Sequence, residues 1–223
     1  MPPGPSEDQR PTKRAVFINC PFDAAYQPMF DAIVFAVHRC GFLARCARED
    51  GDSDQVRIDK LVQMIAECEL GIHDLSRVDT EGRLPRFNMP FELGLFIGAQ
   101  RYRPEGQRPI GGLVLEAEPY QHQRFLSDLA GNDFEAHHGS PAEAVNAVRK
   151  FLAGHSQAPV PGGRQILQDH DFFRKIVLPV LLEGRQQDLE SLTFREFRDY
   201  VQQVVDRQVA ERGSRSAPPS TGP

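Results

Sequence analysis

Residues 87–94 read FNMPFELG, and within this run a single carboxylate, Glu92, follows a proline among apolar side chains. Asn88 and Pro90 are typical of a helix start, so the run predicts a helix with Asn88 as its cap. An ionised carboxylate there can attack an electrophilic sugar carbon or stabilise an oxocarbenium ion. The alternative is a glutamate that only complements the helix dipole, since acidic residues are common in first turns.

The side chains around Glu92 are expected to control its charge. The helix dipole favours the ionised form, and we expect it to prevail over a water-poor wall that opposes ionisation. Gly94 and Gly98 are four residues apart, and we expect them to let the helix approach the sheet or a ligand closely. The predicted wall consists of Phe87, Met89, Phe91 and Leu93.

Further polar and aromatic residues follow the predicted strands. The carboxyl ends of parallel strands meet at one edge of a sheet, where ligands bind in open α/β folds. Carboxylates, an amide and aromatic rings at this edge suit a ligand rich in hydroxyls, such as a ribose. The residues assigned to substrate binding are Pro21, Phe22, Asp23, Asp74, Ser76, Phe87 and Asn88. The same edge is expected to carry Asn19, Arg48, Glu49, Asp50, Asp52, Arg77, Glu116 and Glu118.

Short apolar runs alternate with amphipathic segments along the first two thirds of the chain. This alternation predicts β-α units, hence an α/β fold with a parallel five-stranded sheet of flavodoxin-like type and helices on both faces. The predicted strands are 15–20, 42–49, 70–76, 108–118 and 132–138. The predicted helices include 55–69, the helix that carries Glu92, 120–130 and 140–154.

Several local features refine this pattern. In the helix at 55–69, an apolar face is predicted for Val56, Ile58, Leu61, Val62 and Ile65. Ser140, Pro141 and Glu143 have the spacing of a capping box. Among the histidines, His73 is expected in the core of a strand, whereas His137 and His138 are expected to form a surface pair.

The composition of the chain changes after the predicted sheet. We expect a disordered leader at 1–13, an α/β domain at 14–154, a linker at 155–165, a helical appendage at 166–212 and a disordered tail at 213–223. The first appended helix is expected to be interrupted at Pro179. The appendage is expected either to pack on the first domain or to pair with another copy of the chain.

Charge and cysteine content exclude several classes of protein. Of the 223 residues, 31 are acidic and 26 are basic, which argues against a nucleic-acid binder that works through bulk charge. No apolar run has the length needed to cross a membrane, and residues 1–14 show no secretory signal. The four cysteines form no Cys-x-x-Cys pair, so we expect reduced thiols in a cytoplasmic protein and no structural metal.

The segments VFINCPFD, IHDLS and RFNMPFELG, followed by YQHQRFLSDLAGND and His137, resemble a family of bacterial TIR-like proteins. This family is related to the nucleoside 2-deoxyribosyltransferases, and many of its relatives act in antiphage defence. The resemblance covers residues 14–152. In both better-known groups, a glutamate on the helix after the third strand acts on an N-glycosidic bond, and Glu92 stands at the matching position.

The resemblance implies a nucleotide N-glycosidase that cleaves the nicotinamide–ribose bond of NAD, with NAD as substrate and no cofactor. It also implies an antiphage effector that becomes active on assembly, and we expect the C-terminal helices to form the homo-oligomer. Asp74 matches an acidic residue that holds base or sugar in the transferases, and Pro21, Phe22 and Asp23 match a loop bordering the nucleotide pocket.

The chain also departs from both groups. Phe87, Asn88 and Met89 replace an Asp-Gly-Thr-type segment of the transferases, and there is no tryptophan for the Trp-Cys pair of TIR domains. These departures favour the alternative, a non-catalytic module that senses a nucleotide or relays an interaction. A regulator phosphorylated on Asp74 is disfavoured, because the loop after the first strand lacks paired acids for magnesium.

Overall fold

The computed structural model describes residues 14–49, 57–78, 86–104, 109–129 and 133–216, with the side chains of 127, 133 and 212–216 excepted. Asp50, Asp52 and Val56, which the sequence analysis placed at the rim or on a helix face, lie outside the described residues.

A parallel sheet of five strands forms the centre of the fold, and this confirms the predicted class. The strand order is β2-β1-β3-β4-β5, which is the flavodoxin-like order. Strands β1 and β3 are parallel neighbours, with Asn19 opposite His73. The order in which successive strands are added to the sheet reverses between them, which is where ligands bind in such folds. The strands are β1 Ala15–Asn19, β2 Leu43–Cys46, β3 Leu70–Asp74, β4 Gly111–Glu116 and β5 Asp133–Ala136.

Helices cover both faces of the sheet, which explains why β3 is buried along its whole length. One face packs against α2 and α3, and the other packs against α1, α4 and the C-terminal helices. The helices are α1 Gln27–Arg39, α2 Arg57–Glu67, α3 Asn88–Tyr102, α4 Pro141–His155, α5 Gly163–Phe172, α6 Leu178–Arg185 and α7 Phe194–Ser216.

The prediction of an α-helix at 120–130 is wrong. It forms two 3₁₀ turns, Gln121–Arg124 and Ser127–Leu129. The Glu116 carboxylate accepts hydrogen bonds from the backbone N–H groups of Tyr120 (2.7 Å) and His122 (3.0 Å). Tyr120 also adopts a left-handed backbone with φ of 66°. The carboxylate thus caps N–H groups that the first turn of a helix leaves without partners, and the segment continues only as short 3₁₀ turns.

The predicted buried face of α2 is also wrong in part. Leu61 and Ile65 are buried as expected, and Met64 joins them against the sheet. Ile58 and Val62 are exposed instead. Apolar spacing marks a broad side of this helix, and only the packing of α2 against the sheet and α3 selects the part of that side that is buried.

The C-terminal helices belong to the same hydrophobic core as α1 and β1, so they pack on the first domain. Their inner residues Ile166, Phe173 and Val201 are fully buried against α1. The helix α4 continues to His155 and α5 begins at Gly163, which leaves a connection of residues 156–162. The core around α1 is therefore completed by residues far along the chain.

The interruption expected at Pro179 is a π-helical turn, Phe173–Val177, immediately before α6. Proline cannot donate a backbone hydrogen bond, and a π turn is one way to shift the backbone partners of a helix by one residue. The helical path therefore continues through the proline instead of ending there.

Candidate active site

Glu92 lies at the carboxyl edge of the sheet, beside the ends of β1 and β3. The Asn19 side-chain amide, at the end of β1, donates a hydrogen bond of 2.9 Å to the carbonyl of Met89. This bond fixes the first turn of α3 over the sheet edge, and Glu92 follows one turn later. Glu92 is 8% exposed, and its Oε2 atom makes no hydrogen bond to any residue that the structure describes.

The protonation of Glu92 differs from the expectation. Burial raises the pKa of Glu92 to about 7, although Arg57 acts in the opposite direction. The expected dominance of the helix dipole is wrong, because Glu92 is the fifth residue of α3 and the dipole acts mainly within the first turn. The carboxyl group is therefore close to half-ionised at neutral pH.

Only two of the four residues predicted to form an apolar wall around Glu92 are buried. Met89 and Leu93 are buried, but Phe87 is 69% exposed and Phe91 is 56% exposed. Asn88 is exposed too, and the predicted cap is wrong because Phe87 occupies the cap position without a side-chain bond. Phe87, which was assigned to substrate binding, and Phe91, which was assigned only to the wall, both face outward.

Two glycines of α3 do not have the expected role. A Cβ atom on Gly94 or Gly98 would meet nothing within 4 Å among the described atoms. The close approach is made by Gly71 and Gly112 in the sheet, above which the ring of Phe96 lies. This aromatic ring, and not a pair of helical glycines, fixes the distance between α3 and the sheet.

His73 lies in the core, as predicted. It is fully buried, its ring packs against Phe96 at 4.7 Å, and burial lowers its pKa to about 3. Its Nδ1 atom lies 3.1 Å from the Asn19 amide nitrogen. Because that amide nitrogen can only donate, Nδ1 accepts and the neutral ring carries its proton on Nε2.

Asp74 is fully buried at the end of β3, and its carboxylate already accepts hydrogen bonds from the protein. It accepts hydrogen bonds from the Tyr26 hydroxyl group and from the backbone N–H of Ser76 at 2.8 Å. His137 Nε2 lies 3.1 Å from the same carboxylate. The backbone N–H of Gly139 donates to His137 Nδ1 at 3.0 Å, so a neutral ring carries its proton on Nε2, which lies beside Asp74 but makes no hydrogen bond to a described residue.

The expectation of a surface pair of histidines is wrong for His137, which is 2% exposed, and correct for His138. Sequence analysis also missed Tyr26, which lies just before α1. No pattern in the sequence links either residue to Asp74, since the contact depends on where α1 and the turn after β5 meet the end of β3. Both residues line a cleft of about 230 Å³ with Ser76 and Arg77.

Asp23 is engaged by two arginines. Its carboxylate oxygens accept hydrogen bonds from Arg77 at 2.7 Å and from Arg86 at 3.0 Å. Burial would raise the pKa of Asp23, but the two guanidinium groups together lower it below its ordinary value. Asp23, which was assigned to substrate binding, therefore also holds the side chains of Arg77 and Arg86 in place.

Phe22 lies on the α1 face of the sheet, away from Glu92. Pro21 is buried, and Phe22 packs edge-on against Phe30 at 5.5 Å. Phe22 lines a second cleft, on the α1 face of the sheet. Of the residues assigned to substrate binding, Asp74 and Ser76 therefore share the Tyr26 side of the edge, Phe87 and Asn88 flank Glu92, and Phe22 faces elsewhere.

Cys20 lies near both buried carboxylates, Asp74 and Glu92. Burial raises the pKa of the Cys20 thiol well above its ordinary value, and Asp74 and Glu92 both add to the shift. The four cysteines are buried and free. Within the described ranges, no group of three or more histidine, cysteine or acidic side chains could hold a metal ion.

Two further acidic residues of the predicted rim, Glu116 and Glu49, have structural partners. Glu116 binds backbone N–H groups, as described above, and its Oε2 lies 2.9 Å from His122 Nδ1. Glu49 pairs with Arg45 and with Arg198 of α7. Glu92 thus differs from Asp74, Glu116 and Glu49 in that one of its buried oxygens has no described partner.

In the part of the chain that the structure describes, no helix is both long enough and apolar enough to span a membrane. Comparison of the chain with protein-family models, with curated proteins and with solved structures found no match.

Proposed function

We propose that this chain is a nucleotide N-glycosidase that hydrolyses the bond between nicotinamide and ribose in NAD, with Glu92 as its catalytic carboxylate. One observation carries the proposal: Glu92 is buried at the carboxyl edge of a parallel sheet and its Oε2 has no described partner. Buried polar atoms are normally satisfied, so an unsatisfied one at a ligand-binding edge suits a group supplied by a substrate.

The reaction needs little beyond such a carboxylate. The C–N bond breaks, nicotinamide leaves as a neutral molecule with the electron pair, and the ribose carbon becomes an oxocarbenium ion. Ionised Glu92 stabilises this cation or bonds to it, and water then adds at the same carbon and loses a proton to solvent. Because the nicotinamide ring is positively charged before it leaves, no strong general acid is required.

The resemblance of residues 14–152 to bacterial TIR-like proteins supports the wider proposal of a cytoplasmic antiphage effector that is activated by assembly. The C-terminal helices carry an exposed apolar row, Phe172, Ile176 and Val180, at a spacing of four residues. Such a row supports a homo-oligomer formed through these helices.

The second candidate is a module that binds a nucleotide without turnover. It is favoured by Asp74, the other acid expected to hold a substrate, because this carboxylate already accepts hydrogen bonds from Tyr26 and Ser76 and has His137 beside it. In that case Glu92 would contact the ligand and perform no chemistry.

The test is release of nicotinamide from NAD by the full chain over a series of protein concentrations, which allows for activation by assembly. We expect Glu92→Gln to reduce the rate by about 100-fold or more, since it removes the negative charge and keeps the shape. Glu135→Gln is the matched control, because Glu135 lies on β5 in a surface ion pair with Lys150. Nucleotide binding without nicotinamide release at every concentration would instead support the sensing module.

A further inference from the structure

A second cleft lies on the other face of the sheet from Glu92, where the loop after β1 meets the C-terminal helices. Its volume is about 420 Å³, which is within the range of small-molecule sites. Its walls include the rings of Phe22, Phe30, Phe194 and Phe197. Neither Glu92 nor Asp74 lines it.

The aromatic walls come from three separate parts of the chain. Phe22 follows β1, Phe30 belongs to α1, and Phe194 and Phe197 belong to α7. Phe30 lies 5.5 Å from Phe22 and 5.6 Å from Phe194, measured between ring centroids. Phe22 meets Phe30 edge-on and Phe30 is tilted against Phe194, so the rings form a continuous aromatic wall against which an aromatic group can pack.

The polar groups of the cleft form a chain along one wall. Arg174 pairs with Asp31 at 2.9 Å, and Gln27 donates to the same carboxylate at 2.8 Å. Arg48 reaches Gln27 by a long hydrogen bond of 3.4 Å, and its guanidinium group lies over the ring of Phe22 at 5.5 Å.

Arg48 is the cation of this wall that remains available to a ligand. The Asp31 carboxylate neutralises Arg174, whereas Arg48 has no carboxylate partner among the residues that the structure describes. Glu190 is the acidic side chain at the exposed side of the cleft. A guanidinium group has five N–H donors, so Arg48 can bind Gln27 and still donate to an oxyanion such as a carboxylate, phosphate or sulfonate.

We propose that this cleft is a second ligand site, for an aromatic ligand of mononucleotide size that carries an oxyanion. The ring of the ligand packs against this aromatic wall, and its anionic group binds Arg48. Since the cleft joins the loop after β1 to α7, an occupant holds the C-terminal helices against the edge of the sheet. This inference does not depend on the activity proposed for Glu92.

The test uses a pair of probes that differ in charge. The aromatic sulfonate 8-anilinonaphthalene-1-sulfonate and its uncharged counterpart N-phenyl-1-naphthylamine are titrated into the full chain, and binding is measured by equilibrium dialysis. We expect the sulfonate to bind about tenfold more tightly than the neutral compound, as one charge-assisted hydrogen bond supplies.

Variants then locate the bound probe. Arg48→Gln should abolish the preference for the sulfonate, and Phe22→Leu should weaken both probes several-fold. The matched control is Arg185→Gln, because Arg185 also lies over an aromatic ring, Tyr200 at 4.9 Å, but does not line the cleft. Absence of sulfonate binding, equal binding of the two probes, or equal loss in the Arg48 and Arg185 variants would overturn the proposal.

Discussion

At the scale of single residues, Glu92 and Asp74 show two ways of burying a carboxylate. Asp74 accepts hydrogen bonds from Tyr26 and Ser76 and lies beside His137, so its partners come from the protein. Glu92 has a buried oxygen without a described partner and a raised pKa. The first arrangement stabilises the sheet edge, whereas the second lowers stability and leaves a carboxylate available to a ligand.

The stability of the protein should therefore depend on pH through Glu92. The carboxyl group ionises near its ordinary pKa of 4.5 in the unfolded chain but only near 7 in the folded one. Ionisation thus favours the unfolded state, and the cost grows as pH rises from about 4.5 to 7. We expect Glu92→Gln to raise the free energy of unfolding by about 2 kcal/mol at pH 8 and far less at pH 4.5.

Urea denaturation at the two pH values measures this difference. The matched variant Glu135→Gln should show no comparable gain at pH 8, because it removes an exposed ion pair. A Glu92→Gln effect of the same size at both pH values would show that the carboxyl group is not destabilised by burial.

The Tyr26–Asp74 contact should contribute measurably to stability. Tyr26→Phe leaves one oxygen of a buried carboxylate without its hydroxyl donor, and we expect a loss of about 2 kcal/mol. Tyr120→Phe changes an exposed tyrosine and should stay within about 0.5 kcal/mol of the wild type. Thermal unfolding of both variants makes the comparison, and equal effects would rule out a strong bond at Tyr26.

At the scale of elements, Phe96 sets the position of α3 on the sheet. A Cβ atom on Gly71 would lie 2.6 Å from the ring of Phe96 and 2.7 Å from His73 Nε2. We expect Gly71→Ala to lower the free energy of unfolding by about 1–3 kcal/mol. Gly94→Ala should raise it by about 0.5–1 kcal/mol, because Gly94 is an exposed helical glycine with open space around it. Chemical denaturation of the two variants distinguishes them, and a stable Gly71→Ala protein would contradict the close packing.

The strands and most helices could be predicted from the sequence, because alternation of apolar runs with amphipathic segments reports burial directly. The segment at 120–130 could not, since its apolar spacing resembles a helix and nothing in that spacing indicates the left-handed backbone of Tyr120 or the two short 3₁₀ turns. Glu92 was recognisable as an isolated carboxylate in an apolar run. The residues that bury it were not, because Phe87 and Phe91 were expected to shield it and face outward instead.

At the scale of the whole molecule, the C-terminal helices are part of the core and also of the sheet edge. Arg39 of α1 pairs with Asp169 of α5 at 2.8 Å, and both side chains are buried. Arg198 of α7 pairs with Glu49 after β2 at 2.8 Å. The change in composition predicted only that these helices are an addition to the sheet domain. The spacing of residues in the sequence carries no information on which surfaces pack together.

The buried pair should make the attachment of α5 sensitive to a single change. Asp169→Asn leaves the Arg39 charge buried without its carboxylate, and we expect a loss of about 3 kcal/mol. Asp171→Asn, two residues away, removes an exposed pair with Lys175 and should change stability by less than about 0.5 kcal/mol. Urea denaturation compares them, and equal effects would show that the pair does not hold the helices to the sheet.

The central claim is that the buried carboxyl group of Glu92 performs the chemistry in its ionised form. The most direct measurement is the rate of nicotinamide release from NAD between pH 5.5 and 8.5, at a protein concentration that gives full activity. The account predicts a kcat/KM, which reports ionisation in the free protein, that rises with pH through a midpoint near 7 and is lost in Glu92→Gln. A Glu92→Gln protein that releases nicotinamide at the wild-type rate, with the same pH profile, would contradict it.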